Sequence, residues 1–400
     1  MKETRVGEAC SGTRGRGGGQ GDLQREVLQA GRCTACGMCV GLCPYIKSVR
    51  DRVAAIHPCG MEEGVCYAVC PRTPERPVTS GQAGDEPAAR GQVVDDPVLG
   101  LHLALLYARA TSPPAAARGQ YGGTVTALVL AALRAGEIDL ALLTGPGPAP
   151  HYFPRPVLAR NRKEVLACAG SRYVAVPGLA LLNDRWRRRG AGEFSGGTEP
   201  IGGLSHPGER LGVVGRPCQV RAVRQAQRLP AGPAEAVGLT IGLFCFWALS
   251  ADFHRFLGAR VNLAKVSRID VPKDGLEVRT REGRVYRWPV DDVRPYIRSA
   301  CQSCADSTAE AADLAVGSTE HDPGWNTLIV RTPRGGEVVE RAAREGQLEV
   351  KPYPAERLEI LRAAVLGKKE RVARQAGAAG AGEPAATGTG EPAAEGGSAR

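Results

Sequence analysis

Aromatic side chains are scarce in this 400-residue chain: Phe, Trp and Tyr together make up 5 % of it. A stacking platform for single-stranded nucleic acid, in which aromatics interleave with bases, is therefore excluded. Long apolar runs are missing as well. The longest, "VGLTIGLFCFWAL" from Val237 to Leu249, has 13 residues, short of the roughly 20 that cross a bilayer as a helix, and it suits a buried strand. The opening "MKETRVGEACSG" has no apolar h-region, so no secretory signal is expected and a cytoplasmic setting is. Neither a GxGxxG nor a Walker phosphate loop appears. Residues 1–30 and 367–400 are Gly-, Ala-, Arg-, Pro- and Glu-rich without periodicity, and both are expected to be disordered. The net charge of +10 suits nucleic acid, a polyanionic small molecule or an acidic partner, and equally a merely solvated face.

What the chain does have is cysteine, 13 in all. Without export, disulfides are not the expected use. Zinc sites favour two separated CxxC or CxxH pairs. Here "CTACGMCVGLCP" sets Cys33, Cys36, Cys39 and Cys43 at C-x2-C-x2-C-x3-C, followed at once by Pro44. That is the bacterial ferredoxin run, in which three thiolates wrap one cluster and the fourth reaches a neighbouring one. The C-x3-C-P ending recurs in "CYAVCP", so Cys70 completes the cluster of Cys33, Cys36 and Cys39. Cys43, Cys59 and Cys66 are then left for a second cluster. Its fourth ligand comes from Glu63, His57 or elsewhere, or the cluster has three irons. Cys10 falls in the head and reads as a free thiol; Cys168, in "EVLACAGSRY", reads as a small core hydrophobe.

Four cysteines remain. "RLGVVGRPCQVRAVRQ" reads as strand, turn and helix, with Cys218 near the helix start, where a thiolate is favoured. A second strand ends at Cys245, and "IRSACQSCADS" supplies Cys301 and Cys304. In an α/β sheet the carboxyl ends of strands converge on one crevice, so these four cysteines either meet as a third four-iron site or are two core cysteines and a redox or zinc half-site.

The periodicity divides the chain into a ferredoxin-type module (31–73), a Pro- and Gly-bearing linker (74–97) and a mixed α/β domain (98–366). "AKVSRIDVPKDGLEVRTREGRVYRWPV" reads as a β-meander, and "PAERLEILRAAVLG" as a closing helix. "GQYGGTVTAL" is a glycine loop opening a helix; it suits a pyrophosphate at the helix N-terminus, and a structural turn explains it as well.

The ordered motifs "GGTVTAL", "VVGRPCQ", "GLFC", "CQSC" with "DSTAEAAD", "VGS" and "GWNTLIVRT", from Gly119 to Thr332, resemble the beta subunit of coenzyme F420 hydrogenases and dehydrogenases. The resemblance implies an iron–sulfur flavoprotein with a small cluster module ahead of a larger mixed α/β flavin-binding domain. It implies FAD, 4Fe-4S clusters (two or three) and the deazaflavin coenzyme F420 as substrate, with Cys218, Cys245, Cys301 and Cys304 as cluster ligands beside the flavin. By position, Gly122, Gly123, Thr124 and Thr126 would lie in the flavin loop, and Gly317, Ser318, Gly324, Trp325 and Thr327 on the flavin or substrate side. Two departures stand out: Arg216 replaces the usual Thr of the G-T-P-C-Q motif, and Arg172 the usual Lys of S-K-Y. Arg keeps the charge of Lys but not its point geometry. Clusters move single electrons, a deazaflavin moves hydride and a flavin does both, so the protein's part is positioning and tuning, and no acid–base triad is expected. The implied partner is the catalytic subunit of a hydrogenase, formate dehydrogenase or related reductase, or a ferredoxin. Two other functions fit the same scaffold: a ferredoxin-dependent reductase of another small molecule, and an electron-transfer subunit with no substrate site.

Overall fold

The computed structural model describes residues 18–73, 93–190, 208–319 and 321–380, without the side chains of 188–190 and 376–380. It opens with α1 (Gln20–Leu23), which continues as a π-helical turn, Gln24–Gln29. A hairpin of β1 (Ile46–Val49) and β2 (Arg52–Ala55) follows, then the short α2 (Val65–Ala68). The larger part is built from β3 (Ala104–Ala110), α3 (Pro113–Arg118), α4 (Thr124–Arg134), β4 (Leu140–Gly145), β5 (Arg155–Ala159), α5 (Arg162–Cys168) and α6 (Ala180–Gly190). Next come β6 (Leu211–Gly215), α7 (Pro217–Gln227), β7 (Val237–Leu243) and α8 (Ala251–Gly258). The meander is β8 (Val266–Asp270), β9 (Gly275–Thr280) and β10 (Val285–Pro289), a separate antiparallel sheet, as its turn signals require. The chain closes with β11 (Leu314–Ser318), β12 (Asn326–Val330), α9 (Pro333–Arg344), β13 (Leu348–Pro352) and α10 (Ala355–Gly380).

The main sheet has eight strands in the order β13-β3-β12-β11-β7-β6-β4-β5. Its centre, β11, β7, β6 and β4, is parallel, and these strands read as near-continuous apolar runs because helices cover both faces. The mixed α/β fold expected from the sequence is the one adopted. Two local stops explain the helix starts along its edge. Gly123 caps α4 with φ 69°, a left-handed conformation, and Pro217 sits at the first position of α7, where its missing N–H costs nothing.

Two expectations are corrected. Residues 20–29, read as part of a disordered head, are helical, and their Leu23 and Val27 are buried at a spacing of four, one helical face. Residues 367–380, read as part of a disordered tail, continue α10, which Val365 and Lys368 anchor by burying one face three residues apart. Cys10 and most of the linker, residues 74–92, lie outside the described residues.

The cysteine module does not stand apart from the sheet. Leu23, Val27, Met38, Ile46 and Val69 share one apolar core with Leu140, Leu142, Leu179, Leu211, Val213 and Val223. Polar clamps surround that core. Asn183 Nδ2 donates to the Met38 and Val40 carbonyls, both at 2.7 Å, and the Leu179 N–H donates to the Cys36 carbonyl at 3.1 Å. Arg298 pairs with Asp51, the two side chains being 13 % and 4 % exposed, and donates to the Cys33 carbonyl at 2.9 Å. Arg72 reaches back from the module to the Ser303 and Ala300 carbonyls at 3.0 and 2.5 Å.

Removing one partner of a buried ion pair strands the other charge. Arg298→Met is therefore expected to lower unfolding stability by about 3–5 kcal/mol, measured by denaturant titration. Adding Asp51→Asn to that variant should cost less than the sum of the two single changes, since the residues share the interaction.

Candidate functional site

The loop that carries the first cysteines turns through left-handed backbone at Ala35 (φ 50°), Gly37 (φ 94°) and Gly41 (φ 80°). Only glycine fits at the middle turn, because a Cβ there would stand 2.3 Å from the Pro177 carbonyl oxygen. These reversals bring Cys33, Cys36 and Cys39 to one small cavity, which Cys70 closes from the far end of the module together with Leu23, Val27, Val53 and Pro71. The spacing argument had grouped these same four residues. Burial pushes the Cys36 thiol up to about 12, and the Cys39 and Cys70 thiols also rise well above the ordinary 9.0. Neighbouring thiols add to the effect: Cys39 feels Cys36, Cys70, Cys33 and Cys66.

The second set is Cys43, Cys59 and Cys66. Burial raises the Cys66 thiol to about 12, with Cys43 as the next cause and Cys59 behind it. His57 holds Nδ1 at 2.7 Å from the Pro58 carbonyl and packs its ring on Tyr45 at 5.0 Å, and Glu63 is exposed.

The third set forms along the carboxyl edge of the sheet. Cys218 lies in the first turn of α7, just past β6, and Cys245 lies just past β7. Cys301 and Cys304 arrive on a tight turn whose placement is fixed by Arg298 and Arg72, the two residues that also dock the module. The Ala248 N–H donates to Cys301 Sγ at 3.3 Å. Burial lifts the Cys245 thiol to about 12 against the pull of Lys368 and Arg216, with Cys218 and Cys301 adding to the rise. Cys301 rises by burial too, and it feels Cys218 and Cys304. The four cysteines therefore come together, as the convergence of strand ends suggested. They also adjoin the first set, since both Cys33 and Cys36 feel Cys218.

The glycine motifs gather at the same edge. β11 and β12 pair Ser318 with Asn326, and β12 and β3 pair Asn326 with Ala108. Asn326 then ties the motifs together, accepting from the Thr124 N–H at 3.3 Å and donating to the Gly317 carbonyl at 3.0 Å. A Cβ on Gly122 would come within 2.8 Å of the Ala108 carbonyl oxygen, so the turn needs glycine for the fold itself. Several residues proposed for the flavin have structural duties. The Thr124 hydroxyl donates to the Ala108 carbonyl at 2.9 Å, and Thr126 and Thr327 are buried. Ser318 and Gly324 are exposed, and Trp325 stacks on Tyr107 at 6.0 Å under the Arg109 and Lys351 cations. Arg172 is spent on the Gly170 carbonyl at 2.9 Å. A cavity of about 520 Å³ opens elsewhere, between Arg50, Tyr152, His254 and Asn262, and none of the residues expected from the sequence lines it.

Among the described residues twelve cysteines are free thiols, Cys168 among them as the buried hydrophobe the sequence implied. Among the described residues, no three His, Cys, Asp or Glu converge as ligands of a single ion do. A four-iron cluster asks for something different: one thiolate per iron, spaced around a shared cavity. The all-sulfur set of Cys33, Cys36, Cys39 and Cys70, lining one cavity, fits that requirement. Sequence reading missed the basic residues beside the thiols. Arg216 stands two residues before Cys218 and Arg298 three before Cys301, a proximity visible in the sequence but silent about which way the side chains turn.

These features define a class: an α/β protein whose sheet edge carries cysteines and against which a cysteine-rich N-terminal segment is docked. Comparison with known proteins makes it specific. Two family models, for the N-terminal and C-terminal parts of "Coenzyme F420 hydrogenase/dehydrogenase, beta subunit", match residues 105–183 and 208–356 respectively. The chain is 30 % identical to the coenzyme F420 hydrogenase subunit beta of Methanosarcina barkeri over 65 % of its own length and 85 % of that protein's. It is 26 % identical to a subunit of the F(420)H(2) dehydrogenase of Methanosarcina mazei, over 82 % of this chain and 87 % of the other. A solved chain of the F420-reducing [NiFe] hydrogenase complex from Methanosarcina barkeri superposes with a TM-score of 0.62 at 28 % identity, covering 71 % of this chain and 94 % of that one. The chain belongs to the coenzyme F420 hydrogenase/dehydrogenase beta-subunit family, and so to the oxidoreductases. No helix among the described residues is long and apolar enough to cross a membrane.

A thiol held neutral by burial stabilises the fold below the unfolded thiol value of about 9, and that contribution is lost as pH rises through the folded value. For Cys36, Cys66 and Cys245 the window runs from 9.0 to about 12. The iron-free chain is therefore expected to lose thermal stability steadily above pH 9, followed as the unfolding midpoint against pH. Triple replacement of these cysteines by Ala should flatten that slope.

Proposed function

We propose that this protein exchanges electrons between coenzyme F420 and the catalytic subunit of a hydrogenase, with FAD and iron–sulfur clusters as its resident cofactors. One observation carries the reading: the three cysteine sets form a continuous series. Cys218 of the third set neighbours Cys33 and Cys36 of the first, and Cys39 of the first neighbours Cys66 of the second. Cys33, Cys36, Cys39 and Cys70 would hold one cluster; Cys218, Cys245, Cys301 and Cys304 another; Cys43, Cys59 and Cys66 would hold a third, completed by one more ligand. When bound, flavin and clusters convert between hydride pairs and single electrons.

The chain's own residues do the positioning. Arg298 and Arg72 fix the turn bearing Cys301 and Cys304 against the module, so the spacing of the first and third sets is set by a docked core rather than by a linker. The Gly122–Gly123 turn places the start of α4 at the same sheet edge as Cys218 and Cys245, a place for the anionic part of a dinucleotide. The second set lies toward the exposed face of the module, where Tyr45, Ile56 and Met61 are uncovered, a surface suited to the partner subunit. The relatives named for F420 hydrogenase and the match to the hydrogenase complex support both coenzyme and partner.

The test is an anaerobic titration of the purified protein with reduced F420, followed in the visible spectrum. Bleaching of flavin and cluster absorption as the coenzyme oxidises is the expected result. Bands that stay oxidised with F420 yet bleach with dithionite would keep the scaffold and reject the substrate. In Cys301→Ala, flavin should still bleach while electrons reach the module's clusters at least tenfold more slowly.

A further inference from the structure

Two cations press on the third cysteine set, and neither belongs to the family motifs in their usual form. Arg216 occupies the N-cap of α7, two residues before Cys218, where the related motif carries Thr. Its Nε lies 3.4 Å from Gln219 Oε1, and its Nη2 lies 3.4 Å from the Ala35 carbonyl of the module loop. The guanidinium thus spans the junction between the two cysteine sets. Lys368 comes from α10, beyond the residues that match the family model, and is only 2 % exposed. Its Nζ donates to the Cys245 carbonyl at 2.6 Å and the Asp306 carbonyl at 2.7 Å, and lies 3.9 Å from Cys304 Sγ.

Neither nearby carboxylate is an ion-pair partner of Lys368. Asp306 accepts from the Glu310 N–H at 3.3 Å, and Glu310 pairs with Lys369 at 3.0 Å. An ammonium held by carbonyls, with no carboxylate in ion-pair contact, is costly to bury. The Asp306 carboxyl acts on it from beyond that distance, and negative charge on the sulfur side would add to the balance.

We propose that Arg216 and Lys368 raise the reduction potential of an iron–sulfur cluster held by Cys218, Cys245, Cys301 and Cys304, stabilising its reduced state. The inference rests on the reading of that cysteine set as a cluster site. One-electron reduction adds one negative charge to the cluster and moves no proton. A fixed cation in a low-dielectric interior therefore favours the reduced form, and its removal disfavours it. The two residues differ in reach. Lys368 touches only the third set, whereas Arg216 also meets the loop of Cys36 and acts on Cys33. Lys368 should tune one centre and Arg216 two.

The experiment is an anaerobic potentiometric titration of the full chain with its clusters assembled, read by electron paramagnetic resonance and visible absorption. It compares wild type, Arg216→Thr and Lys368→Gln with the charge-retaining Arg216→Lys and Lys368→Arg. In Lys368→Gln one cluster is expected to be at least tenfold harder to reduce, about 59 mV more negative for a one-electron couple, with the others unmoved. Arg216→Thr should shift two clusters in the same direction, and the charge-retaining variants should stay near wild type. Unchanged midpoints with intact cluster signals overturn the proposal alone. Loss of the third cluster's signal from the charge-retaining variants as well also overturns it, since the side chains would then be serving packing. A wild-type chain that assembles clusters only in the module refutes the cluster reading of Cys218, Cys245, Cys301 and Cys304, and this inference with it.

Discussion

Arg298 is the residue on which the arrangement turns. Its guanidinium answers Asp51 in the hairpin of the module and the Cys33 carbonyl at the head of the first cysteine loop, and its backbone leads directly into Cys301. Docking the module and placing the third cysteine set are therefore one event. Arg72 repeats the device from the opposite side, gripping the carbonyls of Ala300 and Ser303 around the same turn. A planar guanidinium with five donors can hold several carbonyl and carboxylate oxygens at once, which a lysine cannot. The outcome is a pair of thiol sets whose separation is fixed by the interior of the protein.

The sheet contributes an edge rather than a pocket. Because β6, β7 and β11 run parallel, their carboxyl ends deliver Cys218, Cys245 and Gly317 side by side, and antiparallel β12 returns Asn326 to the same line. Asn326 bonds both to the start of α4 and to the end of β11, so the two glycine motifs are held in register by one side chain. Glycine is needed at Gly122 and Gly317 for contact with the Ala108 carbonyl and the Phe244 ring, whatever else the edge binds.

Much of this was legible in the sequence, and the reasons for the remainder are physical. Cysteine spacing grouped Cys33, Cys36 and Cys39 with Cys70 because tight turns and a following proline leave few geometries. The strand–turn–helix units at Cys218 and Cys245 showed themselves through apolar runs ending in turn residues. Composition misled at both ends. Leu23 and Val27 carry a one-face helical signal that the surrounding Gly and Arg obscure. Lys368 looks like a solvated residue in a charged stretch, yet its four-carbon stem packs inward and its ammonium finds carbonyls contributed by distant segments. Arg298 and Arg216 stood beside cysteines in plain view, but whether an arginine faces water or a thiol is decided by tertiary packing. The shared core of module and sheet was hidden for the same reason, since its members are separated by the whole length of the linker.

The position of β3 has a consequence for how the chain is made. This strand leads the α/β domain in sequence but lies inside the sheet, pairing Ala104 with Val330 on one side and Ala110 with Leu348 on the other. Both neighbours are the last strands of the sheet to be synthesised. As the chain leaves the ribosome, β3 presents two open edges until the final strands emerge, and such non-local pairing is slow and prone to misassociation. The sheet whose strand ends carry the thiols and glycines is therefore complete only once β12 and β13 are in place.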